Sequence, residues 1–168
     1  MRMRFLVAGM LAGGILLSVL GWLTAAILPP RYKQFRDPRA VVETIRANVA
    51  SNDVYTAPEG LFVSVSLEPD LSNRLKNVGP HLAGQFITEF AVAFGLSLLL
   101  MATRIRSPFG AAAFFGLMGM VAGTEVHFPE WNWSGFPISH LAAGIGYLGA
   151  NWFITGVVLG TLRRRLNC

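Results

Sequence analysis

The chain has 168 residues, of which 53% are hydrophobic and only 14% are charged, whereas ordinary soluble domains carry about 25% charged residues. This composition excludes both an ordinary soluble domain and a disordered chain, which stays unfolded because it is polar. The formal net charge is +5, but the basic residues cluster beside apolar runs. Such placement is typical of membrane topology and argues against nucleic acid as a partner.

The first apolar run covers residues 5–28 and contains no charged side chain. At 1.5 Å per residue it exceeds the roughly 30 Å hydrocarbon thickness of a bilayer. Arg2 and Arg4 before it, and the small residues 24–26 near its end, also fit a cleavable secretory signal. The apolar part of such a signal has only about 7 to 15 residues, which favours an uncleaved membrane span.

A polar segment, residues 29–81, follows the first span and predicts a small extramembrane α+β cap. An acidic N-cap followed by proline predicts a helix over residues 37–50. Two β-rich runs, at residues 54–56 and 61–66, flank a Pro-Glu-Gly turn and predict a hairpin.

Three further apolar runs predict membrane spans at residues 82–103, 108–126 and 138–162. Proline at position 108 suits the first turn of a helix. The sequence therefore predicts a single all-α membrane domain over residues 1–168, a bundle of four transmembrane helices with the cap between the first and second spans.

The distribution of basic residues predicts that both termini lie in the cytoplasm. The termini and the short connection between the second and third spans hold seven basic residues and no acidic residue. The cap is a longer segment, and its seven basic residues are accompanied by six acidic residues. Dense positive charge beside span ends marks the cytoplasmic side. Arg31, Lys33 and Arg36, close to the first span, argue for the opposite orientation.

Glu89 is the one charged residue well inside an apolar run. A carboxylate there costs several kcal/mol unless it faces the bundle, pairs or is protonated. Gln85 lies one helical turn before it, while Tyr147 and Asn151 belong to a polar stripe on the fourth span at similar depth. We expect Glu89 to meet Tyr147 or Asn151, or else His140 nearer the surface.

The candidate metal ligands are His81, Glu125, His127 and His140, all near the outer ends of spans. Imidazole and carboxylate together can bind a divalent metal. A quinone head group or a proton path fits the same groups. The alternative is a structural role, in which a neutral Glu89 is hydrogen-bonded inside the bundle and the histidines are hydrated at the membrane interface. The sequence favours this structural role, because none of the spacings between these residues is diagnostic of a metal site.

Trp131 and Trp133 lie in a segment, residues 125–137, that predicts a loop between the third and fourth spans. In an extended backbone, side chains two residues apart point the same way. Both indoles are therefore expected in the headgroup layer as interface anchors, since tryptophan is enriched there.

Four short motifs together resemble an uncharacterised group of small bacterial inner-membrane proteins. The motifs are LPP at residues 28–30, NDVYTAPEG at 52–60, FVSVS at 62–66 and HFPEWNWSGF at 127–136. The resemblance implies a bacterial source, a multi-pass location in the inner membrane and the four-span plan. It implies no activity.

The functional hypothesis that the sequence favours is an accessory, assembly or structural subunit of a membrane complex. Rows of small residues at four-residue spacing allow close helix packing, either within the chain, with a membrane-protein partner or with a second copy. Walker-type, GxSxG and HExxH motifs are absent, which argues against an enzyme. The alternatives are a membrane-embedded metal, quinone or proton site, used for redox chemistry or transport.

Overall fold

The computed structural model describes residues 2–27, 35–51, 53–57, 60–65 and 77–167. The chain divides into two compact units, a helical unit built from both ends of the sequence and a smaller unit within residues 30–81.

The smaller unit contains helix α2, Pro38–Asn48, as its sequence predicted. Asp37 caps this helix because its Oδ1 accepts the backbone N–H groups of Arg39 at 3.0 Å and Ala40 at 3.1 Å. None of the residues of α2 is fully buried.

The hairpin of the smaller unit is also confirmed, with strand β1 at Asp53–Ala57 paired antiparallel to strand β2 at Leu61–Val65. Gly60 lies in the turn with a φ of 87°, a conformation that glycine adopts without steric cost. Its N–H donates to the carbonyl of Ala57 at 3.0 Å, which closes the turn.

The helical unit consists of four long helices, α1 (Arg2–Ile27), α3 (Gly79–Ala102), α4 (Pro108–Ser134) and α5 (Ile138–Arg165). Each is long and apolar enough to cross a membrane. The fold is thus the predicted four-helix membrane bundle with a small α+β element between the first and second long helices. These features support a multi-pass integral membrane protein in contact with the lipid bilayer.

The hydrophobic core of the bundle lies toward the end where α3 leads into α4. We call this end the arginine end because Arg104, Arg106 and Arg163 lie there. All four long helices contribute to its core. The buried side chains of this core are Phe5, Leu96, Leu100, Ala111, Phe115 and Leu159. The opposite end, where α1 finishes and α3 begins, is the loop end.

Helices α4 and α5 approach each other most closely, through glycines. A Cβ on Gly156 would lie 2.7 Å from the Cα of Ala112, and one on Gly123 would lie 2.8 Å from the Cα of Ile145. Both distances are too short for any side chain, so the backbones pack directly on each other. The rows that include Gly123 and Gly156 are therefore used in packing within the chain, whereas a Cβ on Gly146 would meet nothing within 4 Å.

Arg163 is buried on α5 and caps the end of α3. Its Nη1 donates to the carbonyls of Leu100 and, at 2.9 Å, Ile105, while Nη2 donates to Thr103 at 3.1 Å. A positive charge is favourable at a helix C-terminus, where carbonyls lack helical partners. The guanidinium thus ties the turn between α3 and α4 to α5.

Helix α4 differs from the sequence prediction because it continues to Ser134, through the segment predicted as a loop. Pro129 removes one hydrogen bond without ending the helix. The helix ends at Gly135, whose φ of 70° gives it a left-handed cap. Trp131 and Trp133 are consequently about 200° apart around the axis of α4. The prediction that both indoles point the same way is therefore wrong.

Candidate metal site

Three side chains that can ligate a metal meet at the loop end of the α4–α5 pair. His127 and Glu130 lie one turn apart on α4, and His140 lies in the first turn of α5. The three ligand atoms all lie within 4.8 Å of one another. Because the helix carries the first two and a short turn leads to the third, the backbone itself brings them together.

Both histidines bond the same carboxylate oxygen. Nδ1 of His127 lies 2.7 Å from Oε2 of Glu130, and Nε2 of His140 lies 3.0 Å from that oxygen. The two imidazole rings are perpendicular, with centroids 5.2 Å apart. The three groups therefore form a connected triad centred on one oxygen atom.

Gly144 and Phe136 pack against the histidine rings and hold them in place. The ring of His127 lies directly over Gly144, so closely that a Cβ there would be 2.7 Å from its Cγ. The ring of Phe136 lies 4.8 Å from that of His140, centroid to centroid. A side chain at position 144 would occupy the space that the His127 ring fills.

Two of the three distances between ligand atoms in the triad are near those of a zinc site, and all three atoms lie within 4.8 Å of one another. With metal–ligand bonds of about 2.0–2.1 Å, the ligand atoms of a tetrahedral zinc site lie roughly 3.3 Å apart. The two measured contacts of 2.7 and 3.0 Å would therefore lengthen by about 0.3–0.6 Å on metal binding. Rotations of the three side chains can supply such changes without moving either helix.

The triad is accessible to an ion. The side chain of His127 is 19% exposed, that of His140 34% and that of Glu130 38%. Helix α4 has 27 residues, a length of about 40 Å, whereas the hydrocarbon layer is about 30 Å thick. The final turns of α4 can thus lie beyond the hydrocarbon, where ions are present.

The triad includes two of the four ligands expected from the sequence and a carboxylate that the sequence analysis missed. Glu125 is exposed and points about 140° away from Glu130 around the axis of α4. His81 lies in the first turn of α3 and is exposed. The spacing of His127 and Glu130 indicates a common helix face, but only once this segment is recognised as helical.

The second group of predicted residues lies deeper in the bundle. Glu89 is half-buried, and its Oε1 accepts a hydrogen bond of 2.6 Å from Nε2 of Gln85. Its direct partner is thus on its own helix, whereas the sequence predicted one on the fourth span. On α5, Tyr147 is half-buried and Asn151 is buried.

Comparison of the chain with known protein families, curated proteins and solved structures finds no match.

Proposed function

We propose that this protein binds a divalent transition-metal ion at His127, Glu130 and His140. The observation that supports this proposal is the convergence of two imidazole nitrogens on one carboxylate oxygen, at 2.7 and 3.0 Å. Two imidazoles and a carboxylate form a donor set that suits zinc and its neighbours in the first transition row. Calcium and magnesium prefer oxygen ligands and are disfavoured here.

Three protein ligands leave at least one coordination position for water or an exogenous ligand. Closed structural zinc sites use four protein ligands, whereas sites that exchange ligands keep a position open. The partial exposure of the triad agrees with an open site. We therefore propose a role in metal binding with ligand exchange, in the periplasmic half of a bacterial inner membrane, with both termini cytoplasmic.

A zinc titration of the full chain in lipid nanodiscs tests this function. We expect the wild-type protein to bind one equivalent of Zn²⁺ by calorimetry. Glu130→Gln keeps the size of the side chain but removes the carboxylate charge, so it should weaken binding at least about tenfold. Glu125→Gln on the same helix is the matched control, because Glu125 is outside the triad.

The titration contradicts the proposal if the wild-type protein binds no Zn²⁺ below millimolar concentration. The same conclusion follows if Glu125→Gln and Glu130→Gln lose affinity equally, because a non-specific charge effect would then explain binding. Metal analysis of protein purified without added metal provides an independent readout.

We retain an accessory or assembly subunit as a second candidate function, supported by the first half of α3. Residues 83–88 are all exposed, although they cover the full circumference of a membrane-spanning helix and include Gln85 and Thr88. Polar side chains in a span favour contact with protein over lipid. Mass spectrometry after purification in mild detergent tests this candidate, which requires a stoichiometric membrane-protein partner.

A further inference from the structure

A cavity of about 470 Å³ lies at the loop end of the bundle, where α1, α3 and α5 separate. The three helices line it with Ser18, Gly21, Trp22, Gln85 and Tyr147. None of these residues belongs to the metal triad, which lies on α4 and the first turn of α5. The cavity is therefore a separate feature of the bundle.

The cavity lies at the depth of the hydrocarbon. Gln85 is six residues from the start of α3, and Tyr147 is nine residues from the start of α5. At 1.5 Å per residue, these positions are about 9 and 14 Å along their helices. Both residues lie within helices that are long and apolar enough to cross a membrane, so a lipid-soluble molecule can reach the open side of the cavity.

Hydrogen-bonding groups converge on this apolar space. The hydroxyl of Tyr147 crosses to α1, where it would lie 3.4 Å from a Cβ at Gly21. The amide of Gln85 donates one hydrogen bond to Glu89, at 2.6 Å, and a primary amide has a second N–H to offer. In contrast, Ser18 is occupied, because its hydroxyl donates to the carbonyl of Gly14 at 2.9 Å.

The chemistry of the lining selects the class of occupant. None of the described lining residues is basic, which disfavours a phosphate or a carboxylate because buried anions require a positive partner. Phenol and amide donors suit carbonyl oxygens, and the indole of Trp22 offers a flat surface to a ring. A cavity of this size is also within the ordinary range for small-molecule sites, about 300–1,000 Å³.

We propose that this cavity binds the head group of a lipid-soluble quinone. The ring carbonyls accept hydrogen bonds from the Tyr147 hydroxyl and the Gln85 amide, the ring lies beside Trp22, and the apolar tail remains in the bilayer. Gly21 is needed because a larger residue there would fill the space in front of Tyr147.

Decylubiquinone binding to the full chain in quinone-free phosphatidylcholine nanodiscs tests this proposal. Binding at the cavity is measured as saturable quenching of tryptophan fluorescence. The quenching seen with the Trp22→Phe variant in nanodiscs is subtracted, because that variant lacks the indole at the cavity. Tyr147→Phe removes one hydroxyl and should weaken binding about fivefold, as expected for one hydrogen bond. Gly21→Leu should abolish it, whereas Gly84→Leu should not, because a side chain at Gly84 meets nothing within 4 Å.

Three outcomes would overturn the proposal. The first is an absence of saturable quenching in the wild-type protein, and the second is unchanged affinity in both Tyr147→Phe and Gly21→Leu. The third is displacement of decylubiquinone by the cation tetraphenylphosphonium in the wild-type protein but not in Glu89→Gln. Such a dependence on the Glu89 carboxylate would identify a cation site. Thermal unfolding monitors the fold of each variant. If Gly21→Leu does not fold, the affinity of Tyr147→Phe alone decides the second outcome.

Discussion

The contact between Gly144 and His127 gives a sharp prediction, because Gly144→Ala should disturb the metal triad without removing a ligand. The added Cβ would lie 2.7 Å from Cγ of the His127 ring, and its contacts with Cδ2 and Nε2 would also be too close. Carbon atoms pack at about 3.5–4.0 Å, and Cδ2 is closer than Cγ, so the ring must move by more than about 1 Å. Nδ1 of His127 then leaves its position 2.7 Å from Glu130.

We expect Gly144→Ala to lower the affinity for Zn²⁺ by about 10–100-fold, the range found when groups that orient metal ligands are lost. This corresponds to roughly 1.4–2.8 kcal/mol of binding free energy. The fold should be retained, because alanine favours helix over glycine by about 1 kcal/mol and the His127 side chain, which is 19% exposed, has solvent on one side into which it can be displaced.

Gly146→Ala is the matched control for calorimetry in nanodiscs. It makes the same chemical change on the same helix, but a Cβ at Gly146 meets nothing within 4 Å. Wild-type zinc affinity in Gly144→Ala would show that the position of the His127 ring does not determine binding. Equal losses in both variants would indicate an effect on α5 as a whole and would refute the reasoning as well.

Two further predictions concern stability and topology. Arg163→Lys should lower the unfolding temperature in detergent, because one ammonium group cannot reproduce a guanidinium that bonds three carbonyls. Arg164 is exposed, so Arg164→Lys should change the unfolding temperature little. Equal melting curves for the two variants would contradict the capping role of Arg163. Reporter fusions after Arg106 and Cys168 should be cytoplasmic and one after Asn52 periplasmic. An active periplasmic reporter at Cys168 would reverse the orientation.

The sequence predicted those parts of the fold that local physics determines. The cap at Asp37 and the turn at Gly60 depend on neighbouring residues only, so the α2 helix and the hairpin were predictable. The long helices were predictable because lipid requires about 20 apolar residues for each span.

The features that the sequence analysis missed depend on tertiary contacts or on a misread helix end. The sequence predicts a loop around Pro129, but α4 continues to the left-handed cap at Gly135. The shared helix face of His127 and Glu130 is recognisable only with this helix end. Arg163 is one of the seven basic residues from which the sequence predicts topology. Its capping role requires carbonyls about 60 residues earlier in the sequence, and no local pattern predicts such a contact.

The glycine contacts between α4 and α5 also constrain how the bundle can move. If the two helices slid past each other by one turn, larger residues would replace glycines such as Gly119 and Gly156 at the contact. Backbone atoms of the opposing helix leave no room for a side chain there. The pair should therefore resist sliding, so a conformational change in the bundle would require α1 and α3 to tilt against it. Such tilting would widen or narrow the space beside Tyr147 while leaving His127, Glu130 and His140 in register.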